Sequence, residues 1–154
     1  MKVFLDANVL FSASLSAQGT AQALLFVAQT TGVQCVSSDY AFAEAQRNLL
    51  AKAPHALPTF DLIARLLVRV PEPAAVHVET ARNARVVAKD APVLGAALQC
   101  RADVFTTGDV RHFGHLFGQR VEGVLVLSLR AALDHIAALA PRTRSITRTQ
   151  AKPK

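Results

Sequence analysis

The sequence predicts an α/β fold, a three-layer α/β/α sandwich in which helices cover both faces of a central, mostly parallel sheet. Two observations carry this prediction. Short apolar runs typical of buried strands alternate with segments whose apolar residues recur at helical spacing. Strands and helices that alternate along a chain form a parallel sheet that is buried on both sides. The length of 154 residues, with 51% hydrophobic and 18% charged, suits one domain with a substantial core.

The predicted strands are short apolar runs, at residues 2–5, 33–36, 102–107 and 123–127. The predicted helices occupy residues 20–31, 40–52, 91–100 and 128–139. The segment 58–70 begins as a helix and runs into a further strand, whereas the segment 75–84 fits either a helix or a strand.

Residues with known capping preferences predict where the helices begin and end. Gly32 suits the end of the helix 20–31, because glycine adopts the left-handed conformation found there. Side chains able to accept hydrogen bonds from the first turn of a helix precede the later helices, namely Ser37, Ser38, Asp39, Asp90 and Ser128.

The excess of positive charge is concentrated at the C-terminus. The chain has 17 basic and 11 acidic residues, and the segment 141–154 holds five of the basic residues and no acid, which leaves 12 against 11 before it. We therefore predict one folded domain at 1–140 and a basic, disordered tail at 141–154. The tail is either an arm that adds salt-dependent affinity for nucleic acid or a solvated end without a specific role.

The two cysteines and the N-terminal segment indicate the cellular compartment in which the protein is expected. Cys35 and Cys100 lie in apolar surroundings, which predicts buried, reduced thiols and no disulfide or zinc site. The apolar N-terminal run is interrupted by Asp6 and Asn8, which argues against a signal peptide or a membrane span. We expect a cytoplasmic protein without a membrane partner.

Acidic residues follow two of the predicted strands. Asp6 comes directly after the strand 2–5, and Asp109 follows the strand 102–107 after one glycine. The carboxyl ends of parallel strands meet at one edge of the sheet, where functional residues gather. We therefore expect both carboxylates at the same edge, although each is also able to cap the helical turn that follows it.

Two further acids are candidates for the same place. Asp90 opens the helix that leads into the strand of Asp109, and Glu44 lies in the helix 40–52 among alanines that permit a close approach. Each has an alternative without function, since Asp90 suits a helix cap and Glu44 suits a surface pair with Arg47.

Four segments resemble the PIN-domain family, and within it the VapC-like toxins of type II toxin–antitoxin systems. They are FLDANVLFSA, SSDYAFAEAQRNL, AKDAPVLGAALQCRADVFTTGDVRHFG and GVLVLS. The resemblance runs from about residue 2 to 139, is most specific over 89–113 and is loose over 54–85. It implies a PIN-like fold in which catalytic and metal-binding roles fall to Asp6, Glu44, Asp90 and Asp109. It gives supporting roles to Asn8 and Thr107.

The same resemblance implies an endoribonuclease that cuts single-stranded RNA with Mg²⁺ or Mn²⁺, pairs with an antitoxin and forms a homodimer. Carboxylate oxygens favour these ions over zinc. Such an ion lowers the pKa of an attacking water and offsets charge on the phosphate. The candidates for RNA contact are Arg47, Lys89 and Arg111. Many relatives carry a further Asp at positions that hold Val87, Ala88 or Arg111 here, so only the four-acid core is implied.

Two other functions fit parts of the sequence. A PIN-like RNA-binding module without catalysis is the main alternative, and the four retained acids argue against it. A phosphatase with an aspartate nucleophile requires a second Asp where Asn8 stands. His112 lies just beyond Asp109, where it could contact a phosphate, but His112 and His115 are interpreted as ordinary surface residues.

Overall fold

The computed structural model describes residues 1–141. Its strands are β1 (Lys2–Leu5), β2 (Gln34–Ser38), β3 (Val68–Val70), β4 (Val104–Thr107), β5 (Arg120–Val121) and β6 (Val124–Ser128). Its helices are α1 (Ala7–Leu15), α2 (Thr20–Thr31), α3 (Asp39–Lys52), α4 (Leu57–Leu66), α5 (Ala75–Asn83), α6 (Ala91–Gln99), α7 (Val110–Phe113) and α8 (Leu129–Ala137). The predicted tail, apart from residue 141, lies outside the described residues.

The six strands form one sheet in the order β3-β2-β1-β4-β6-β5, and all neighbours are parallel except β5 and β6. The predicted α/β/α sandwich with a mostly parallel sheet is therefore confirmed. The central strands are buried because their side chains are apolar on both faces, and the rings of Phe4 in β1 and Phe105 in β4 stack with centroids 5.7 Å apart.

Several helix ends follow the sequence prediction. Gly32 ends α2 with a φ of 73°. The hydroxyl of Ser38 accepts a hydrogen bond from the amide of Ala41 at the start of α3, and Ser128 caps α8 in the same way. Asp90 precedes α6, but its side chain makes no capping hydrogen bond. The prediction that α6 begins after Asp90 is therefore confirmed, but the carboxylate of Asp90 does not cap the helix with a hydrogen bond.

Three elements go beyond the prediction. The ambiguous segment 75–84 is the helix α5, which packs so closely on α6 that a Cβ added to Gly95 would lie 3.2 Å from the backbone nitrogen of Val78. The strand β5 has only two residues and enters β6 through a tight turn, where Glu122 and Gly123 both have positive φ. The helix α1 begins directly after Asp6 and brings Asn8 back towards the end of β4.

The two cysteines are both free, but they differ in environment. Cys35 is buried, and burial raises the pKa of its thiol to about 12. Cys100 is only half-buried, which corrects the expectation that both thiols are buried.

Over residues 1–141, no single helix is long and apolar enough to cross a membrane. The helices α1 and α2 reach the required length and composition only as a pair, and they are bent by 99° at the break between them.

Candidate metal centre

The candidate site lies where the strand order of the sheet reverses. The chain goes from β1 outward to β2 and β3 on one side, and then returns to place β4 on the other side of β1. The side chains that follow β1 and β4 therefore meet at the carboxyl edge of two neighbouring strands, which is where open α/β sheets hold ligands. The amide of Asp6 donates to the carbonyl of Thr106 at 3.1 Å, so the two strand ends are joined by the backbone.

A hydrogen-bond network fixes the two strand ends against each other. The hydroxyl of Thr107 donates to Oδ2 of Asp6 at 2.7 Å and accepts from Nδ2 of Asn8 at 3.1 Å and from the amide of Asp109 at 3.0 Å. The side-chain oxygen of Asn8 accepts from the amide of Gly108 at 2.8 Å. The hydroxyl of Thr107 and the side-chain amide of Asn8 thus orient both the carboxylate of Asp6 and the turn that carries Asp109.

The carboxyl of Asp6 is buried, and burial is the main reason that its pKa rises from 3.8 to about 6. Hydrogen bonds from Thr107 and Ala7 lower this pKa, whereas the nearby carboxylates of Glu44 and Asp90 raise it further. The ionised form of Asp6 is therefore costly in this pocket unless a positive charge approaches it.

The tightest group is formed by Asp90, Asp109 and His112. Within the described part of the chain, this is the one set of three acidic, histidine or cysteine residues whose ligand atoms all lie within 4.8 Å of one another. Asp109 uses its Oδ1 to accept the backbone amide of His112 at 3.0 Å, and its Oδ2 lies 2.9 Å from Nδ1 of the same histidine. Oδ2 of Asp90 lies 2.8 Å from that nitrogen on its other side.

These short contacts do not pair the atoms. Oδ2 of Asp90 and Nδ1 of His112 are buried, and neither has a hydrogen bond of acceptable angle to any described residue. A hydrogen bond weakens steeply when it is misaligned, so the short distances do not satisfy these two atoms. Buried polar atoms without partners are rare and call for a ligand, an ion or a water molecule.

The residues present fit a divalent cation. Two carboxylates and an imidazole point their free ligand atoms at one another, and the buried Asp6 beside them is destabilised in its charged form. Asp6 and Glu44 lie outside this group of three. They are nevertheless close to it, because the charges of Glu44 and Asp90 both raise the pKa of Asp6. A cation would offset this repulsion and supply the missing partners.

The predicted RNA-contact residues are close to the acids of the site along the chain. Arg47, Lys89 and Arg111 are all exposed. Lys89 directly precedes Asp90 in the chain, and Arg111 belongs to the short helix α7 that begins after Asp109.

His112 is the site residue that sequence reasoning misses. The sequence suggests an ordinary surface residue, but the ring nitrogen of His112 lies between two of the acids. The available signal is its position three residues after Asp109, a spacing that places both side chains on one face of a helical turn.

Known proteins share the family and the fold of this chain. A family model of the PIN domain matches residues 2–111, and the chain therefore belongs to the PIN-domain family. The fold is similar to that in the crystal structure of VapBC2 from Rickettsia felis bound to a DNA fragment from their promoter, with a TM-score of 0.66 and 14% identity. The match covers 83% of this chain and 98% of that one. At this low identity, the match shows that the two chains share a fold and nothing more. No curated protein matches the chain significantly.

Proposed function

We propose that this PIN-domain protein is a metal-dependent endoribonuclease that cuts single-stranded RNA, and that it acts as the toxin of a VapC-like toxin–antitoxin pair. The observation that carries the proposal is the buried Oδ2 of Asp90, which lacks a partner and faces Asp109 and His112 at the carboxyl edge of the sheet. Mg²⁺ or Mn²⁺ is the proposed ion, because carboxylate oxygens dominate the site.

Each residue of the site has a proposed role in hydrolysis. Asp6, Asp90 and Asp109 would hold the ion, Asp6 directly or through water, and the ion when bound lowers the pKa of water and offsets charge on the phosphate. Glu44, on α3, orients the attacking water or takes its proton, as the new P–O bond forms and the bond to the leaving ribose oxygen breaks. Thr107 and Asn8 keep the carboxylate of Asp6 aimed at the site through their hydrogen bonds.

The surface beside the acids supplies the charge that RNA requires. An acidic pocket repels phosphates, and exposed cations next to it reduce this repulsion and add salt-dependent affinity. Lys89 and Arg111 are next to the acidic residues in the chain, and Arg47 lies one turn after Glu44 on α3. We propose that these three side chains contact the RNA backbone.

The test is RNA cleavage by the whole chain with Mg²⁺, with Mn²⁺ and with EDTA. Asp90→Asn keeps the size of the side chain and removes its charge, so we expect cleavage to fall at least about 100-fold, as for other groups that stabilise charge in a transition state. Asp61→Asn, an exposed acid on α4, is the matched control and keeps the wild-type rate.

Cleavage that survives EDTA or the Asp90→Asn change would refute the proposal. RNA that binds without being cut, together with no metal binding, would instead favour the alternative of an inactive RNA-binding module. The cytoplasmic location and the basic tail as an RNA-binding arm stay predictions from the sequence.

We further propose that the antitoxin covers the apolar face of α4 that carries Leu62 and Leu66, which are four residues apart. These side chains are about 60% exposed or more, and exposed apolar groups of this size are typical of protein interfaces. A complex with the protein encoded beside this one should weaken at least about 10-fold on Leu62→Ser, a loss typical of a buried interface anchor. Leu50→Ser, which changes an equally exposed leucine on α3, is the control.

The proposed homodimer is tested by sedimentation equilibrium of the free protein. A single mass of 16.5 kDa over the accessible concentrations would exclude it.

A further inference from the structure

We infer that His112 is a direct nitrogen ligand of the metal, so that the ion is held by two oxygens and one nitrogen and not by oxygens alone. The consequence is a site that favours transition ions such as Co²⁺ over Mg²⁺. The inference rests on the proposed metal dependence, but it concerns which ion is held and by which atoms.

The distances match ligands that share one ion. Nδ1 of His112 lies 2.8 Å from Oδ2 of Asp90 and 2.9 Å from Oδ2 of Asp109. Two adjacent ligands of an octahedral ion with bonds of about 2.1 Å are separated by about 3.0 Å. The two separations are thus close to the edges of a coordination octahedron.

The missing hydrogen bonds point to the same conclusion. A histidine that served only to neutralise the acids would donate an N–H hydrogen bond to one of the oxygens. Here Nδ1 of His112 and Oδ2 of Asp90 are buried and make no hydrogen bond within the described chain. Buried polar atoms that lie this close without a hydrogen bond need another partner, and an ion between them would supply it. In that form the ring proton is on Nε2 and Nδ1 presents its lone pair.

The imidazole is held in place by its surroundings. The backbone amide of His112 donates to Oδ1 of Asp109, which fixes the first turn of α7. The next residue, Phe113, is buried and packs against Phe105 of β4, with ring centroids 5.1 Å apart. The backbone of His112 is therefore anchored on both sides, which limits the entropy lost when its ring binds an ion.

A nitrogen ligand changes the order of ion affinities. Mg²⁺ prefers oxygen ligands, whereas imidazole binds later transition ions more strongly, and their affinities rise from Mn²⁺ to Co²⁺. The carboxylates alone would discriminate little among these ions. His112 is thus a specificity-determining residue for the metal, and Asp90 and Asp109 supply most of the charge.

The test compares the wild-type protein with His112→Gln and His115→Gln in the absence of RNA. His115 is exposed and contacts the carbonyl of Ala84, so it is a matched histidine outside the site. We expect His112→Gln to raise the Kd for Co²⁺ at least about 10-fold, a typical loss at a metal site, and the Kd for Mg²⁺ less than about 3-fold. His115→Gln should change neither.

A spectroscopic readout identifies the atom. With Mn²⁺ bound, pulsed electron paramagnetic resonance should detect coupling to a ¹⁴N nucleus in the wild type and in His115→Gln, and lose it in His112→Gln. Circular dichroism confirms that each variant is folded. If His112→Gln misfolds, His112→Asn replaces it in both measurements.

Two results would overturn the inference. One is a wild-type protein that binds Mn²⁺ without nitrogen coupling. The other is a His112→Gln protein that binds Co²⁺ as tightly as the wild type or more tightly, which would mean that the imidazole occupies the place of the ion. Failure of the proposed nuclease is separate, because it would appear as tight metal binding with no RNA cleavage.

Discussion

Replacing the buried Asp6 by asparagine should stabilise the metal-free protein, and increasingly so as the pH rises. The carboxyl of Asp6 has a pKa of about 6 in the folded chain, against an ordinary value of 3.8, chiefly because it is buried. Below pH 3.8 it is protonated in both the folded and the unfolded chain, so no penalty arises. As the pH rises through 6, the folded chain must hold a buried charge, and the stability that the protonated form gave is lost.

The size of the effect follows from the two pKa values. Their separation corresponds to about 3 kcal/mol of unfolding free energy above pH 6. For a domain of this length, that difference is roughly 6–12 °C in Tm. Asparagine also alters the hydrogen bonds from Thr107 and Ala7, but this adds an offset that hardly changes with pH. The informative quantity is therefore the change in the difference between variant and wild type.

Urea unfolding of both proteins with EDTA, between pH 4 and pH 8, measures this difference. The stability of Asp6→Asn relative to the wild type should rise by about 2 kcal/mol over that range, less than the full separation because pH 4 already lies above 3.8, and saturating Mg²⁺ at pH 8 should stabilise the wild type more than the variant. Asp61→Asn is the control for a general loss of negative charge. A difference between Asp6→Asn and wild type that stays flat from pH 4 to pH 8 would refute the reasoning.

Three further outcomes are expected. Thr107→Val removes the hydroxyl shared by the strand ends, so the free energy of unfolding should fall by about 1–3 kcal/mol and the RNA cleavage rate should drop, while Thr107→Ser keeps both. Lys89→Ala and Arg111→Ala should raise KM for RNA with little change in kcat. Each should also make the slope of log K against log salt concentration shallower by about 0.7 for every phosphate that the variant no longer neutralises. An unchanged slope would contradict this role. A thiol reagent should label Cys100 in the native protein and reach Cys35 only in urea, because burial raises the pKa of Cys35 to about 12; labelling of both at equal rates would contradict it.

The sequence predicts the strands and helices that carry the site well, because these elements depend on the periodicity of apolar residues. Short apolar runs and helical spacing identify five of the strands and most helices, and the rule for parallel strands then places Asp6 and Asp109 at one edge. The two-residue strand β5 has no such pattern, since two residues are too few to show a period. The segment 75–84 is ambiguous for a similar reason, because its apolar residues fit both spacings.

The orientation of the side chains within the site is harder to predict. Asp90 precedes a helix with a proline in its first turn, which is a good capping sequence, and only the coordinates reveal that its carboxylate makes no bond to the helix amides. The orientation of His112 depends on α7 beginning at Asp109 and on the packing of Phe113, and both are tertiary effects. Sequence alone therefore identifies the acidic residues of the site and misses the ring nitrogen of His112.

The hydrogen bond between Thr107 and Asp6 joins residues 101 positions apart. The carboxylate of Asp6 therefore precedes its partner on β4 by about a hundred residues, and Asp109 and His112 follow later still. A truncated chain that ends before α7 lacks the site, however well its first helices form. The site is thus assembled only by the pairing of β4 with β1, and a change that weakens this pairing would disperse the acids without altering any of them.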